Sequence, residues 1–244
     1  MTKSRQQAMT KLIRLDKLLG HSGEGTRKEI KNLCKSGSVT VNGSVCVDPA
    51  TKVDFKKSVV AVDDRLVFYT PFHYVMLHKP ENVLSATIDH FSRTVLDLLP
   101  SRYKGTGMFP VGRLDKDTTG LLLLTNDGDW AHRITSPKKE INKIYEAVVA
   151  GIIPDDINSQ FQRGIVLNDG FLCQPALAEK IGDYALRIVI HEGKFHQIKR
   201  MCAAVGLTVT ALRRIQIGQL MLDETLHYGE IRILTEEERE LPFQ

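Results

Sequence analysis

Residues 112–125 read Gly-Arg-Leu-Asp-Lys-Asp-Thr-Thr-Gly-Leu-Leu-Leu-Leu-Thr, and this stretch decides how the rest of the chain is interpreted. Consecutive leucines bounded by turn residues are typical of a short buried strand. The polar run before them is then a loop anchored to a rigid core element, where catalytic groups are often held. Its carboxylates, Asp115 and Asp117, are therefore candidate functional groups. The alternative is that both are ordinary solvated side chains, as most Asp residues are.

The chain around this stretch mixes strands and helices without a regular β-α-β rhythm. Alternating or continuous apolar residues predict strands over 74–79, 143–149, 184–190, 207–217 and 231–234. Capping and turn signals predict helices over 95–99, 130–134 (capped by Asp129), 154–161 and 197–205. This arrangement predicts an α+β fold with a mainly antiparallel, mixed sheet.

The first sixty residues show a different pattern. Residues 1–10 are polar and aperiodic, which predicts a flexible lead-in. A helical apolar stripe begins at Leu12, and Thr26 with Glu29 forms a capping box that opens a second helix. Asn42-Gly43 between two valine-rich segments is a strong hairpin signal. We therefore expect a small domain over 11–60, a linker over 61–72 and a larger domain over 73–244.

Charge is distributed unevenly between these parts. Residues 1–70 contain 13 Lys and Arg against 7 Asp and Glu, whereas residues 71–244 contain 20 against 22. A basic N-terminal part on a near-neutral body suggests that this part meets a polyanion. Charge alone leaves open a second interpretation, in which the basic side chains only form a solvated face.

Composition argues against several classes of protein. No apolar run approaches the roughly 20 residues that span a bilayer, and the N-terminus does not resemble a secretory signal. The four cysteines, Cys34, Cys46, Cys173 and Cys202, show no Cys-x-x-Cys spacing. This pattern argues against a zinc site or a disulfide framework and fits a cytoplasmic protein in a reducing compartment.

The stretch 112–125 resembles the catalytic motif of the bacterial ribosomal RNA pseudouridine synthases, in the RsuA branch that acts on small-subunit rRNA. In that family the Asp after Arg-Leu is the essential catalytic residue, so the resemblance implies this role for Asp115. It also assigns Arg113 and Leu114 to the pocket that receives a base flipped out of the RNA. Asp117 is left as a support of the loop.

Two further motifs resemble the same family. Residues 192–201, Glu-Gly-Lys-Phe-His-Gln-Ile-Lys-Arg-Met, match the block whose first basic-pair residue contacts the catalytic Asp, which implies an Asp115–Lys199 pair. The resemblance leaves Lys194 and Arg200 as phosphate contacts. Lys143-Ile144-Tyr145-Glu146 resembles the strand whose Tyr stacks on the target uracil and is suggested to accept its proton. Without the resemblance to this family, Tyr145 would be interpreted as a residue that packs in the core.

The N-terminal part resembles the S4-type RNA-binding module. The resemblance rests on residues 14–19, 26–27 and 37–43, with Val39-Thr40-Val41-Asn42-Gly43 as its hairpin. In that module a basic face contacts the RNA backbone. The implied RNA contacts are Arg14, Lys17, Arg27, Lys28, Lys31 and Lys35, with Arg213 and Arg214 as further candidates in the larger domain.

These resemblances lead to the hypothesis of an enzyme that isomerises a specific uridine to pseudouridine in small-subunit (16S) rRNA. We expect it to use no cofactor and no metal, to act as a monomer, and to bind ribosomal RNA or a small-subunit assembly intermediate without a membrane. His191 and His196 lack metal-ligand partners at helical spacing, and His196 is interpreted as a structural residue.

Three alternatives remain at this point. The enzyme could act on large-subunit rRNA, or the protein could be a non-catalytic RNA-binding or ribosome-assembly factor. A metal-dependent phosphohydrolase using Asp115 and Asp117 is disfavoured, because the sequence lacks the additional ligands such a site requires.

Overall fold

The computed structural model describes residues 12–244 of the chain. The predicted lead-in over 1–10 lies outside the described residues. The described chain forms two compact units, which we call unit 1 (residues 12–72 and 100–108) and unit 2 (residues 73–99 and 109–244).

Unit 1 combines two short helices with two small antiparallel sheets. Its elements, in chain order, are β1 (Leu12–Arg14), α1 (Leu15–His21), α2 (Arg27–Lys35), β2 (Val39–Val41), β3 (Ser44–Val45), β4 (Lys52–Asp54), β5 (Val60–Val62) and β6 (Arg65–Val67). Strand β1 pairs with β4, and the other four strands form a sheet in the order β3-β2-β5-β6. The helices and sheets bury a common core that includes Leu15, Leu18, Ile30, Val39 and Val60.

The predicted capping box and the predicted hairpin turn of this unit are both confirmed. Thr26 accepts a hydrogen bond from the Glu29 amide at 3.4 Å, and the Glu29 carboxylate accepts one from the Thr26 amide at 2.7 Å. Asn42 and Gly43 both have positive φ, 53° and 80°, as a tight turn between β2 and β3 requires.

Three boundaries predicted from the sequence are wrong. Residues 12–14 form a strand and not the first turn of a helix. The predicted linker over 61–72 contains strand β6 and most of β5, whose valines are buried in the unit 1 core. Residues 100–108, which the sequence places in the larger domain, belong to unit 1.

Close backbone packing explains this last difference. A Cβ on Gly105 would lie 2.0 Å from the carbonyl oxygen of Gly25, and one on Gly23 would lie 2.1 Å from that of Arg102. Glycines on both sides therefore allow the segment to lie directly against the rest of unit 1.

Unit 2 is built on one nine-stranded sheet. Its strands are β7 (Tyr74–Lys79), β8 (Phe109–Pro110), β9 (Thr118–Thr125), β10 (Lys143–Ala150), β11 (Leu177–Gly182), β12 (Ala185–Ile190), β13 (Thr208–Ile217), β14 (Leu220–Met221) and β15 (Ile231–Ile233). The order is β11-β12-β10-β13-β9-β7-β15, with β14 attached to β13 and β8 to β9. Among these pairings β9–β13 is parallel and the others are antiparallel. The predicted α+β class with a mainly antiparallel sheet is confirmed.

Three helices accompany this sheet: α3 (Gly128–Thr135), α4 (Ile157–Gln162) and α5 (Gln197–Ala204). Short 3-10 turns lie at Val95–Leu98 and Pro137–Lys139 in unit 2, and at Ser101–Tyr103 in unit 1. A further one, Leu241–Phe243, ends the chain. The predicted helix over 154–161 begins later, at Ile157.

The start of α3 differs from the prediction. Asp127, and not Asp129, caps the helix by accepting hydrogen bonds from the amides of Asp129 and Trp130, both at 3.1 Å. The Tyr74 hydroxyl donates to the same Asp127 carboxylate at 2.6 Å, so a neighbouring strand helps to hold the cap.

The leucine strand β9 lies inside the unit 2 sheet, between β13 and β7. All eight of its residues are buried. Leu121 and Leu123 belong to the core cluster that contains Trp130 and Ile134 of α3. Burial on both faces explains why the strand is a continuous apolar run. The loop before it is therefore anchored to the interior of the sheet.

Gly120 marks the point where β9 meets β13. Its φ is +103°, and a Cβ at this position would lie 2.2 Å from the backbone oxygen of Arg214. We expect Gly120→Ala to lower the free energy of unfolding by about 3 kcal/mol, because neither the dihedral angle nor the strand contact accommodates a methyl group. Urea denaturation measures the change.

Gly128 provides the matched control. It begins α3, and a Cβ added there would meet open space within 4 Å, its own helix and chain neighbours aside, in the described part of the chain. Gly128→Ala should be neutral or stabilise the protein by about 0.5–1 kcal/mol. Equal stability of the two variants would show that the β9–β13 contact does not require glycine.

Candidate active site

The loop that precedes β9 is held by backbone contacts on both sides of Asp115. The Leu114 amide donates to Ser85 Oγ at 3.0 Å, and Ser85 Oγ donates to the Leu114 carbonyl at 2.8 Å. The Thr118 amide donates to the carbonyl of Asp115 at 3.1 Å. The main chain of Asp115 is thus fixed while its side chain remains partly exposed.

Lys79, at the end of β7, is the strongest of these supports. Its side chain is fully buried, and its Nζ donates to the carbonyl oxygens of Asp115 at 3.0 Å, Thr118 at 2.9 Å and Pro80 at 3.0 Å. The sequence pattern placed Lys79 only at the end of the predicted strand over 74–79 and did not indicate this role. The available signal was a lysine within an otherwise buried strand.

Asp115 faces two cationic or ionisable side chains. Lys199 Nζ lies 3.5 Å from Asp115 Oδ2, and His196 Nε2 lies 3.7 Å from Asp115 Oδ1. Lys199 is closer to Asp117, with Nζ 2.5 Å from Oδ1. This hydrogen bond lowers the pKa of Asp117 from its usual value. Lys199 is therefore shared between the two carboxylates instead of belonging to Asp115 alone.

A pocket opens beside Asp115. Its walls come from the loop before β9 and the start of that strand, from β10, β12 and β13, and from the first turn of α5 with the segment that leads into it. The lining residues are Arg113, Leu114, Asp115, Thr118, Tyr145, Ile190, Gly193, Lys194, His196, Gln197, Ile198, Lys199 and Leu212. The structure thus brings together the three predicted catalytic residues, both predicted base-pocket residues and Lys194. Asp117 lies outside this lining.

Tyr145 contacts a buried arginine. The two residues face each other across β10 and β13, and Arg214 Nη1 donates to Tyr145 Oη at 3.5 Å. Arg214 is 4% exposed and its Nε also donates to the Leu121 carbonyl at 2.8 Å. Arg214 is therefore not a surface RNA contact, and that prediction is wrong. Burial and the nearby Arg214 charge lower the pKa of Lys143, also on β10, to about 8.

The remaining basic residues predicted as RNA contacts in unit 2 differ in availability. Lys194 is exposed, with its Nζ 5.1 Å from the centre of the Phe171 ring. Arg200 Nη2 lies 2.5 Å from Asp169 Oδ2, so its charge is already paired. Arg213 is similarly paired with Glu224 at 2.9 Å.

The predicted RNA contacts of unit 1 are mainly exposed. Arg14 forms a two-pronged pair with Asp16, at 3.0 and 2.6 Å. The other five are exposed to solvent, one on α1 and four on α2: Lys17, Arg27, Lys28, Lys31 and Lys35.

Membrane-spanning helices and clusters of metal-binding side chains are both absent from the described residues. Across residues 12–244, no helix is long and apolar enough to cross a membrane. Within the same range, no three or more His, Cys, Asp or Glu side chains are grouped so that they could hold a metal ion.

Lys79 yields a prediction about pH. Burial lowers its pKa to about 8, against 10.5 in the unfolded chain. Between these values the unfolded state binds more protons, so the contribution of Lys79 to stability rises with pH. The free energy of unfolding of the wild type minus that of Lys79→Met should therefore increase from pH 8 to pH 10.5. Denaturant titrations measure it, and a difference that falls or stays constant contradicts the assignment.

Comparisons with known proteins show the family to which the chain belongs. Residues 73–204 match the family described as RNA pseudouridylate synthase, and residues 13–59 match the S4 domain. The chain is 45% identical to the ribosomal small subunit pseudouridine synthase A of Vibrio cholerae, over 93% of this chain and 97% of that protein. It is 44% identical to an uncharacterized RNA pseudouridine synthase of Bacillus subtilis, YtzG, over 94% and 98% of the two chains.

A solved structure is similar over the same range. A crystal structure of a pseudouridylate synthase, 34% identical, superimposes with a TM-score of 0.67 over 94% of this chain and 99% of that one. The family predicted from residues 112–125 is thereby confirmed, and the interpretation as a non-catalytic RNA-binding factor is not supported. The chain belongs to the RNA pseudouridylate synthase family and is a pseudouridine synthase with an N-terminal S4 domain.

Proposed function

We propose that this enzyme converts a uridine of small-subunit ribosomal RNA into pseudouridine, with Asp115 as its catalytic carboxylate. The observation that carries the proposal is the convergence of Asp115, Lys199, Tyr145 and Arg113 on one pocket from separate parts of the sequence. The name of the similar protein from Vibrio cholerae, which specifies the ribosomal small subunit, supports the choice of substrate. The substrate is the RNA itself or a small-subunit assembly intermediate.

Pseudouridine formation breaks the bond between ribose and uracil N1, rotates the base and rejoins it through C5. The reaction is an isomerisation, so it consumes no reductant or oxidant. It requires a carboxylate that attacks or stabilises charge, a group that receives the C5 proton, and space for the detached base. Asp115 is assigned the first role because its carboxylate borders the pocket, whereas Asp117 does not.

Lys199 and Lys79 support that carboxylate in different ways. Lys199 places a positive charge between Asp115 and Asp117, so the two negative charges do not face each other unscreened. Lys79 holds the main chain of the loop through its carbonyl oxygens. The first is a charge partner at the reacting group and the second a positioning residue.

Tyr145 and Arg113 are assigned to the base. A uridine within folded RNA must leave its stack to reach the pocket, which costs a few kcal/mol. The Tyr145 ring can stack on the extruded uracil. Its phenolic oxygen is the proposed acceptor of the C5 proton, a role in which the hydroxyl must first release its own proton. Arg113 is exposed at the pocket wall, where it can occupy the vacated position or hold a phosphate. Lys194 also lines the pocket and is exposed, so it can bind a phosphate of the same RNA.

A genetic experiment tests substrate and nucleophile together. Pseudouridines are mapped in both ribosomal RNAs from cells that lack the protein and from cells complemented with each variant. One small-subunit uridine should lose its modification. Wild type and Asp117→Asn should restore it, with turnover of the latter reduced less than about tenfold, while Asp115→Asn should stay at background.

Two outcomes would contradict the proposal. A modification lost from large-subunit RNA would assign the enzyme to the other ribosomal substrate. Equal loss of activity in Asp115→Asn and Asp117→Asn would show that the two carboxylates act as a unit. Purified Asp115→Asn should still bind RNA, which separates loss of chemistry from loss of folding.

We further propose that helix α2 of unit 1 binds the RNA backbone. Replacing Arg27, Lys28 and Lys31 with Ala removes three charges that are exposed on this helix. The slope of log binding constant against log salt should fall by about two to three, since each phosphate contact contributes nearly one. Filter binding at several salt concentrations measures this slope.

A second triple variant separates position from net charge. Lys52, Lys56 and Lys57 are exposed in the same unit but lie outside α2. Their replacement with Ala removes the same charge and should change the slope by less than about one. Identical slopes for the two triple variants would mean that only the net charge of unit 1 matters.

A further inference from the structure

Phe195 is an exposed aromatic side chain at the border of the catalytic pocket. It is 75% exposed and lies on the segment between β12 and α5. Its ring stacks on that of His196, with centroids 3.8 Å apart and an angle of 17° between the planes. One face of Phe195 is covered by His196, and the exposed remainder of the ring is turned to solvent.

The backbone that carries this ring is fixed. The Gln197 side chain accepts a hydrogen bond from the Lys194 amide at 2.9 Å and donates one to Glu192 Oε1 at 2.6 Å. Glu192 also accepts from the Gln174 amide at 2.9 Å. His196 adopts the left-handed region with φ of 49°, which is uncommon for a residue with a side chain. The segment therefore presents Phe195 in a defined position.

This position is one ring layer away from the reacting carboxylate. His196, beneath Phe195, has its Nε2 only 3.7 Å from Asp115 Oδ1 and itself lines the pocket. Lys194, which precedes Phe195 in the chain, supplies an exposed positive charge. An apolar aromatic face beside a cation is the combination that single-stranded nucleic acids bind, the ring through a base and the cation through a phosphate.

We propose that Phe195 stacks on the nucleobase next to the uridine that enters the pocket. This inference rests on the proposed function. Extruding the uridine removes a stacking partner from its neighbour, and the free face of Phe195 can replace that partner. The base would extend the His196–Phe195 stack by a third ring. Every base has a π-face, so such a contact does not select one particular base. It selects a substrate in which the base next to the uridine is free to unstack.

The test uses the full-length protein and RNA oligonucleotides that contain the target uridine. The fluorescent base 2-aminopurine replaces either its 5′ or its 3′ neighbour. On binding to wild type, one of the two probes should be quenched by stacking. Phe195→Leu should abolish this quenching and lower kcat/KM by about tenfold to a hundredfold, mainly through KM. Phe195→Trp should retain both, because it keeps an aromatic face.

Tyr184→Leu is the matched control. Tyr184 is 65% exposed and lies in the turn before β12, at the end of that strand away from His191. The Tyr184→Leu variant also lacks one exposed aromatic ring, and its kcat/KM should equal that of the wild type. Melting temperatures of all variants should agree, since both rings are exposed.

Quenching is also measured in Asp115→Asn, which binds without turnover. This keeps the inference separate from the proposed function: absence of pseudouridine with the wild type refutes the function, whereas the probe still reports on stacking. Wild-type quenching and kcat/KM in Phe195→Leu would overturn the stacking role. A lowered melting temperature in Phe195→Leu, together with an equal loss of quenching and kcat/KM in Phe195→Trp, would also overturn it. That pattern would indicate a structural residue.

Discussion

The ammonium group of Lys79 is the contact on which the candidate site depends. It is buried at the end of β7 and donates hydrogen bonds to the carbonyl oxygens of Asp115 and Thr118, which begin and end the turn into β9, and to that of Pro80. Carbonyl groups that point into a protein interior need donors, and a lysine supplies three from one atom. The position of Asp115 follows from this arrangement, because its own carbonyl is among those bound. The Asp115 carboxylate can therefore remain accessible although its main chain is rigid.

A second constraint is the parallel contact between β9 and β13. It places Arg214 beside Gly120 on one side, while the antiparallel pairing with β10 places the same residue beside Tyr145 on the other. The Arg214 side chain then bridges to a β9 carbonyl and to the Tyr145 hydroxyl. Loop and tyrosine are thus positioned by neighbouring strands of one sheet.

The features that could be predicted from the sequence are those encoded by neighbouring residues. The leucine strand, the capping box at Thr26 and the Asn42-Gly43 turn depend on local pattern, and all are present. Some unsuccessful predictions concern local features, namely the Asp127 cap and the short β5–β6 hairpin, and others concern partners distant in the chain. Strands β5 and β6 are each three residues long, too short to show a periodicity, so their sequence resembles that of a linker. Lys79 binds carbonyls some forty residues away, which leaves no local signature.

Arg213 and Arg214 show the same limit at the candidate site. Adjacent residues of a strand point to opposite faces, so at most one of them can be buried on a given side. The pattern does not tell which of them it is. Only the register with β9 and β10 decides that Arg214 contacts Tyr145 while Arg213 pairs with Glu224. The cluster of motif residues around the pocket, in contrast, was indicated by the family resemblance and not by periodicity.

The return of residues 100–108 to unit 1 limits how the protein can be divided. The chain passes between the units after residues 72, 99 and 108, so neither unit is one continuous segment. A cut at residue 72 would remove the surroundings of Gly105, whose position depends on a close approach to Gly25. Unit 1 is therefore not one continuous stretch that a single junction could separate from unit 2. A truncation that keeps all of unit 1 has to keep residues 100–108 together with residues 12–72, so the two units cannot be separated by one cut.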